Sequence, residues 1–229
     1  MKYFEIDSIA FIGRTLEEYV RMFDLNTAGL PAEKILDCPG GACSFAAEAG
    51  EKGVKVIAAD MLYGTEPDKI KKLCEDELEK VFHALNPVKD QYRWDFYGNV
   101  QGLKKRRVSA YTRFIEDYSK NFNGAKYVRC DLPTLPFSEG EFSLVLSAHL
   151  LFLYSDRLSY EFHLSAASEL LRVSSREVRI FPVVGLDSKK SPYLDPLAED
   201  LRAKGFGVEL KRVPFEFQKD GSLMLRILK

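Results

Sequence analysis

The sequence predicts an α/β fold in which helices cover a mostly parallel sheet. Apolar strand-like runs alternate with helical patterns from about residue 34 to residue 204. Small or acidic residues follow several of these runs, as they do where ligands meet the carboxyl ends of parallel strands. Two further apolar runs flank Asp220 and Gly221, a pattern typical of a β-hairpin. These observations together indicate a three-layer fold whose sheet ends in a hairpin.

The stretch from Lys34 to Asp60 has the plan of one β-α-β unit. An apolar run ends at Asp37, a loop of small residues follows, and a second apolar run ends at Asp60. Gly40 and Gly41 allow a ligand to approach the loop backbone closely, and the helix that follows presents unpaired N–H groups. An acid at the tip of the second strand can accept hydrogen bonds from ribose hydroxyls. The stretch therefore predicts a nucleotide-type site.

The other elements follow from the spacing of apolar residues and from turn signals. Thr15 is suited to cap a first helix over residues 15–23. Pro87 is suited to end a helix over residues 67–85. Helices are expected over residues 15–23, 43–49, 67–85, 159–173 and 194–204, and a further helical pattern ends near residue 121. After residue 121, strands are expected over residues 126–129, 142–147, 177–184, 208–217 and 222–228.

The chain is interpreted as one domain over residues 1–229, because it shows no internal repeat, low-complexity tract or linker. Residues 1–30 are expected to form an N-terminal lid or leading helix, and residues 86–123 an insertion over the mouth of the site. The insertion combines a basic run at residues 104–107 with four aromatic residues, as single-stranded nucleic acid can favour. Acidic residues in the same segment favour a solvated helix face beside an aromatic cluster instead.

Composition and charge narrow the class of protein. Of the 229 residues, 46% are hydrophobic and 29% are charged, which is ordinary for a soluble globular protein. The net charge of −1 gives no electrostatic case for nucleic acid or an acidic membrane surface. No apolar run approaches the roughly 18 residues that span a bilayer, and the first residues do not resemble a signal peptide. The four cysteines lack disulfide-framework and metal-ligand spacing. We therefore expect a cytoplasmic protein without a metal site.

Residues that follow the predicted strands are the candidates for chemistry. Ser147 and His149 follow the strand over residues 142–147, and the unperturbed pKa of a histidine suits a general base. Hydrogen bonding of His149 to a backbone carbonyl is the equally open alternative. Tyr154 and Arg14 are weaker candidates, whose ordinary interpretation is an exposed loop tyrosine and a surface arginine.

The order and spacing of these pieces resemble the class I S-adenosylmethionine-dependent methyltransferases, especially the small single-domain members. In that family an acid ends each of the first three strands, a Gly-x-Gly-x-Gly loop follows the first acid, and Leu-Pro-Phe often follows the third. The matching pieces here are Asp37, Gly41, Asp60, Asp131, Leu135-Pro136-Phe137 and the strand that begins at Phe142. Pro39 and Cys43 stand at the flanking glycine places, and Ser143 replaces the usual Asp. The resemblance covers roughly residues 32–229.

The resemblance implies a Rossmann-like sheet whose last strand inserts antiparallel, with S-adenosylmethionine as the cofactor. It implies that Asp60 holds the ribose hydroxyls, that Asp131 accepts from the adenine amine, and that Gly41 faces the methionine part. The residues expected to bind the cofactor are Asp37, Cys38, Gly40, Gly41, Asp60, Met61, Asp131, Leu132 and Ser147. The residues expected to assist catalysis are His149 and Tyr154.

The resulting hypothesis is a methyltransferase that acts on a small-molecule acceptor by in-line transfer from the sulfonium. Two alternatives stand beside it. The altered glycine loop keeps open a methyltransferase-like binding module without activity. A nicotinamide-dependent oxidoreductase would need Gly-x-Gly-x-x-Gly after the first strand, which residues 37–43 do not supply.

Overall fold

The computed structural model describes residues 4–229, apart from the side chain of Pro31, and contains one seven-stranded sheet. Its strands are β1 (Lys34–Asp37), β2 (Lys55–Asp60), β3 (Tyr127–Arg129), β4 (Phe142–Ala148), β5 (Ser174–Phe181), β6 (Gly207–Arg212) and β7 (Leu223–Leu228). The α-helices are α1 (Leu16–Met22), α2 (Phe45–Glu51), α3 (Pro67–Leu85), α4 (Val100–Lys120), α5 (Tyr160–Val173) and α6 (Leu194–Ala203).

The strands lie in the order β3-β2-β1-β4-β5-β7-β6, and β7 runs antiparallel to both of its neighbours. Strands β1 to β5 are parallel. The order confirms the predicted fold class, a mostly parallel sheet with an antiparallel C-terminal hairpin strand. No helix within residues 4–229 is long and apolar enough to cross a membrane.

Strand β1 shows why the central strands are continuous apolar runs. Ile35 and Leu36 are both fully buried, but they belong to different hydrophobic clusters on opposite faces of the sheet. Successive side chains of a strand point to opposite faces, so a strand covered on both sides needs an apolar residue at every position. Helices α1 to α4 contribute to the cluster around Ile35, and α5 and α6 to the cluster around Leu36.

Several predicted boundaries are confirmed. Thr15 caps α1 through a capping box with Glu18, and α3 and α5 span the predicted ranges within one residue. Helix α2 begins two residues later than expected. Strand β5 runs over Ser174–Phe181 rather than residues 177–184, because Pro182 has no N–H to continue the ladder.

The predicted hairpin strand over residues 208–217 is wrong beyond Arg212. Pairing of the two chain segments ends where the Val213 N–H donates to the Ser222 carbonyl at 2.9 Å. Phe215 and Phe217 leave the sheet and contact Tyr97, with ring centroids 6.2 and 5.0 Å away. Packing of these rings against Tyr97 stabilises the fold more than continued pairing of residues 213–217 in an edge strand would.

A buried ion pair joins α1 to α4. The Glu18 carboxylate has no exposed surface, and its Oε1 accepts from Arg107 Nη1 at 2.6 Å and from the Tyr97 hydroxyl at 2.5 Å. Burial by itself would raise the pKa of Glu18, but the Arg107 guanidinium and the hydrogen bonds outweigh it and hold that pKa below its usual value. The N-terminal segment and the segment over residues 86–123 are thereby fixed to each other.

The basic run at residues 104–107 is largely neutralised by carboxylates. Lys104 pairs with Glu79 at 2.8 Å and Arg106 with Glu17 at 2.8 Å, in addition to the pair formed by Arg107. This arrangement agrees with the interpretation of the run as a helix face rather than as a free basic patch.

We predict that Leu225→Ala lowers the free energy of unfolding by about 2–5 kcal/mol, because Leu225 is 0% exposed in β7 and the truncation leaves a cavity. Leu210 lies directly opposite in β6 but is 40% exposed, so Leu210→Ala is the matched control and should cost less than about 1 kcal/mol. Chemical denaturation followed by circular dichroism measures both. If both variants lost the same small amount of unfolding free energy, β7 would not be an interior strand.

We also predict that Glu18→Gln destabilises the protein by about 3–5 kcal/mol at neutral pH, because it leaves the Arg107 charge buried without a partner. The exposed neighbour Glu17 supplies the control Glu17→Gln. Because the folded-state pKa of Glu18 is lowered, its contribution is present above its unfolded pKa and is lost as the pH falls through the folded value. Denaturation series at several pH values should show the difference from wild type shrinking in acid. A difference that does not depend on pH would contradict this account.

Candidate functional site

The carboxyl ends of β1 to β5 open into one cavity of about 360 Å³, a size typical of small-molecule sites. The sheet contributes residues at or just after the ends of five strands: Cys38, Asp60, Cys130, Ala148 and Phe181. The remaining walls come from the N-terminal segment, α3, α4 and the residues before it, the segments that follow β4 and β5, and the β6–β7 connection. The cavity is where the carboxyl-end rule predicts a ligand site.

Both glycines of the loop after β1 line the cavity and are required by the geometry of the loop itself. A Cβ on Gly40 would lie 2.6 Å from the Tyr63 hydroxyl oxygen and 3.0 Å from Ala58 Cβ. Gly41 has φ +53°, a conformation that favours glycine, and its carbonyl accepts from the Tyr63 hydroxyl at 2.8 Å. The loop backbone therefore lies against Tyr63 with no space for side chains at Gly40.

Asp60 is held at the tip of β2 by two backbone donors. Its Oδ1 accepts from the Leu62 N–H and its Oδ2 from the Gly41 N–H, each at 3.0 Å. Burial raises the pKa of Asp60, the two backbone hydrogen bonds oppose the rise, and Asp131 adds to it. A carboxylate has about four lone-pair sites, so each oxygen can accept one more hydrogen bond. Asp60 lines the cavity, where those bonds can go to a ligand.

Four neighbouring predicted residues also line the cavity. Asp131 is exposed and Leu132 is buried just after β3, while Met61 is 57% exposed just after β2. Cys38 is buried at the end of β1. The structure therefore gathers an acidic and partly apolar group of side chains on the β2–β3 side of the cavity.

Asp37 and Ser147 were expected to contact a cofactor, but neither is among the residues that line the cavity. Asp37 shares the face of Ile35, and both of its oxygens accept from the Tyr19 hydroxyl, at 2.9 and 3.1 Å. Burial raises the pKa of Asp37 well above its usual range; the Tyr19 hydrogen bond opposes that rise and Asp60 adds to it. Ser147 is fully buried, and its Oγ has no partner among the described residues.

His149 lies in the cavity wall directly after β4. Its N–H donates to the Phe181 carbonyl at 2.7 Å, and its φ is +53°. The ring Nδ1 is buried, with no hydrogen-bond partner in the described part of the chain. Burial lowers the pKa of His149 well below its usual range, and the Arg14 and Arg107 guanidiniums act in the same direction. These effects favour the uncharged imidazole, whose Nδ1 has no partner in the described part of the chain.

Tyr154 is a buried residue of the cavity wall rather than an exposed loop tyrosine. Its hydroxyl oxygen accepts from the Ala10 N–H at 2.9 Å. Burial raises the pKa of Tyr154, so the phenol keeps its proton and can still donate a hydrogen bond. Arg14 likewise lines the cavity instead of the outer surface.

The cavity has an apolar wall that sequence reasoning only partly identified. The aromatic and aliphatic residues of this wall include Phe82, Leu85, Tyr92, Tyr97, Leu103, Phe215 and Phe217. The density of aromatic residues over residues 92–97 was a signal for it. Phe215 and Phe217 carried no such signal, because their alternation with polar residues is that of a strand.

Comparison with known proteins identifies a relative along nearly the whole chain. No family model matches the sequence. Magnesium protoporphyrin IX methyltransferase from Synechocystis PCC 6803, crystallised with bound SAM, is 11% identical; the match covers 93% of this chain and 80% of that chain, with a TM-score of 0.49. A SAM-dependent methyltransferase from Aquifex aeolicus is 14% identical; the match covers 93% of this chain and 95% of that chain, with a TM-score of 0.39.

A relative by sequence is the uncharacterized protein MJ0045 of Methanocaldococcus jannaschii. The two chains are 35% identical over 228 residues, and the alignment covers 99% of each. The alignment therefore includes the residues of the sheet and of the segments that enclose the cavity. The chain therefore belongs to the same protein family as MJ0045.

Proposed function

We propose that the protein is an S-adenosylmethionine-dependent methyltransferase that acts on a small-molecule acceptor. The Asp60 carboxylate is the observation that carries the proposal. It is fixed at the tip of β2 by two backbone N–H groups and keeps accepting capacity on the cavity side. A carboxylate held in this way at the carboxyl edge of a parallel sheet suits a pair of ribose hydroxyls.

The residues around Asp60 fit the rest of an adenosyl ligand. Leu132 and Met61 supply apolar surface for an adenine ring, and Asp131 supplies an acceptor for its exocyclic amine. The backbone of Gly40 and Gly41 borders the cavity where the methionine part would lie. S-adenosylmethionine supplies a methyl group that is already activated on a sulfonium, so the chain has only to orient the acceptor and handle one proton.

His149 is proposed to take that proton. Its Nδ1 is without a partner among the described residues, and its low pKa keeps the imidazole neutral. Tyr154, whose hydroxyl is fixed by the Ala10 N–H, is proposed to orient the acceptor by donating a hydrogen bond. Both side chains line the same cavity as Asp60, which is the arrangement that acid–base assistance requires.

The apolar wall supports an acceptor with a hydrophobic body. Tyr97 forms edge-to-face contacts with Phe215 and with Phe217, and all three rings border the cavity. Rings held in this way give a preformed apolar surface, because their conformations are already fixed by packing. An acceptor of this kind can be found by a screen of apolar small molecules with detection of S-adenosylhomocysteine.

We predict that Asp60→Ala weakens the binding of S-adenosylhomocysteine by about 1–3 kcal/mol, since ligand hydroxyls lose a charged acceptor. Isothermal titration calorimetry measures the affinity, and a thermal melt checks that the variant is folded. Asp76→Ala, at an exposed carboxylate of α3, is the matched control and should bind like the wild type. An unchanged affinity in folded Asp60→Ala protein would refute the ribose role.

We predict that His149→Ala lowers the rate of methyl transfer by about 10²–10⁴-fold without changing the affinity for S-adenosylhomocysteine. Because the pKa of His149 is lowered, the wild-type rate should persist at a pH below the usual histidine value and fall only in stronger acid. Release of S-adenosylhomocysteine, followed across pH with an acceptor from the screen, measures this rate. A variant as fast as the wild type would assign His149 a structural role.

A further inference from the structure

Tyr92 lines the cavity with a hydroxyl group that has no partner in the described part of the chain. The residue lies between α3 and α4 and is 9% exposed. Its phenol oxygen forms no hydrogen bond with any of residues 4–229. The oxygen keeps accessible surface, in contrast to Ser147 Oγ, which also lacks a partner but is enclosed. A ligand in the cavity can therefore reach a hydroxyl that no described residue uses.

Packing and backbone hydrogen bonds fix the position of Tyr92. Its ring packs on the ring of Phe217, with the two centroids 4.6 Å apart. The Tyr92 N–H donates to the Lys89 carbonyl at 3.2 Å, and the Arg93 N–H donates to the Phe217 carbonyl at 2.7 Å. Because these contacts already set the orientation of the ring, the hydroxyl loses little conformational freedom when it binds a ligand.

A row of aromatic rings leads along the cavity wall from His149 to Tyr92. All of the rings line the cavity, and the row consists, in order, of His149, Phe181, Phe215, Tyr97, Phe217 and Tyr92. Neighbouring centroids in the row lie 5.6, 5.9, 6.2, 5.0 and 4.6 Å apart. The Tyr97 hydroxyl already donates to Glu18, so the rings between the two ends offer apolar surface only. His149 and Tyr92 thus supply the polar groups at opposite ends of this wall.

The surroundings of the Tyr92 hydroxyl suit an uncharged ligand group. Burial raises the pKa of Tyr92, and no charged side chain of the described residues contributes to that shift. The phenol therefore keeps its proton and can donate it to an acceptor atom. A charged group would lose its hydration at this end of the cavity without gaining a counter-charge, whereas a neutral oxygen or nitrogen atom exchanges one hydrogen bond for another.

We propose that Tyr92 donates a hydrogen bond to a neutral oxygen or nitrogen atom of the methyl acceptor, at the end of its apolar body away from the methylated atom. The acceptor is then a ring compound with two polar groups: the nucleophile beside His149, and a carbonyl, ether or ring nitrogen beside Tyr92. A site with a buried donor discriminates against analogues that lack the matching acceptor atom. The view of the ligand as a methyl acceptor rests on the proposed function, but the donor site does not.

The test compares acetophenone with α-methylstyrene, which has nearly the same shape but carries a methylene group in place of the carbonyl oxygen. Tyr92→Phe should weaken acetophenone binding by about threefold to tenfold and leave α-methylstyrene binding unchanged. Trp94 is the single tryptophan of the chain, and its ring centroid lies 5.4 Å from that of Phe217. The ¹⁹F NMR signal of protein labelled with 5-fluorotryptophan therefore reports binding at this end of the cavity. Tyr111→Phe, at a tyrosine of α4 that does not line the cavity, is the matched control.

Tyr92→Phe should unfold at the same denaturant concentration as the wild type, because the hydroxyl forms no hydrogen bond within the described chain. A clear loss of stability would show that the hydroxyl has a structural role and would overturn the proposal. So would an equal change, or no change, in the affinities for the two probes, or a wild type that binds neither of them. These titrations contain no S-adenosylhomocysteine. Protein that fails to bind S-adenosylhomocysteine would therefore refute the proposed function, while the comparison of the two probes would still test Tyr92.

Discussion

The buried carboxylate of Glu18 is the constraint on which the enclosure of the cavity depends. It joins α1 to α4 through Arg107, and to the segment that precedes α4 through Tyr97. The position of α1 places Tyr19 against Asp37, and the residue before its N-cap is Arg14. The position of α4 places Phe114 against Tyr63, the tyrosine that supports the glycine loop. One charged contact thus fixes two walls of the cavity.

The unusual residues of the glycine loop have physical causes in this chain. Gly40 is needed because Tyr63 occupies the space of its side chain, and Gly41 because its φ is +53°. Cys43, which stands at a flanking glycine place of the Gly-x-Gly-x-Gly pattern, uses its sulfur to accept from the Arg14 N–H. The Cys43 side chain thereby holds the N-terminal segment, including Arg14, against the glycine loop.

Features of the molecule that depend on local pattern could be predicted from the sequence. The alternation of strands and helices, the cap at Thr15 and the acid at the tip of β2 all follow from residues close together in the chain. Features that are set by contacts between residues distant in the sequence could not be predicted in this way. The partner of Asp37 is Tyr19 of α1, and the path of residues 213–217 depends on ring contacts with Tyr97 of the insertion.

The central claim is that the carboxyl edge of the sheet binds an adenosyl ligand through Asp60. A crystal structure of the protein grown with S-adenosylhomocysteine tests it most directly. The account predicts that the ligand lies in the cavity, with both ribose hydroxyls donating to the Asp60 carboxylate and the adenine beside Leu132. A ligand bound with its ribose away from Asp60, or an empty cavity in crystals grown at saturating ligand, would contradict it.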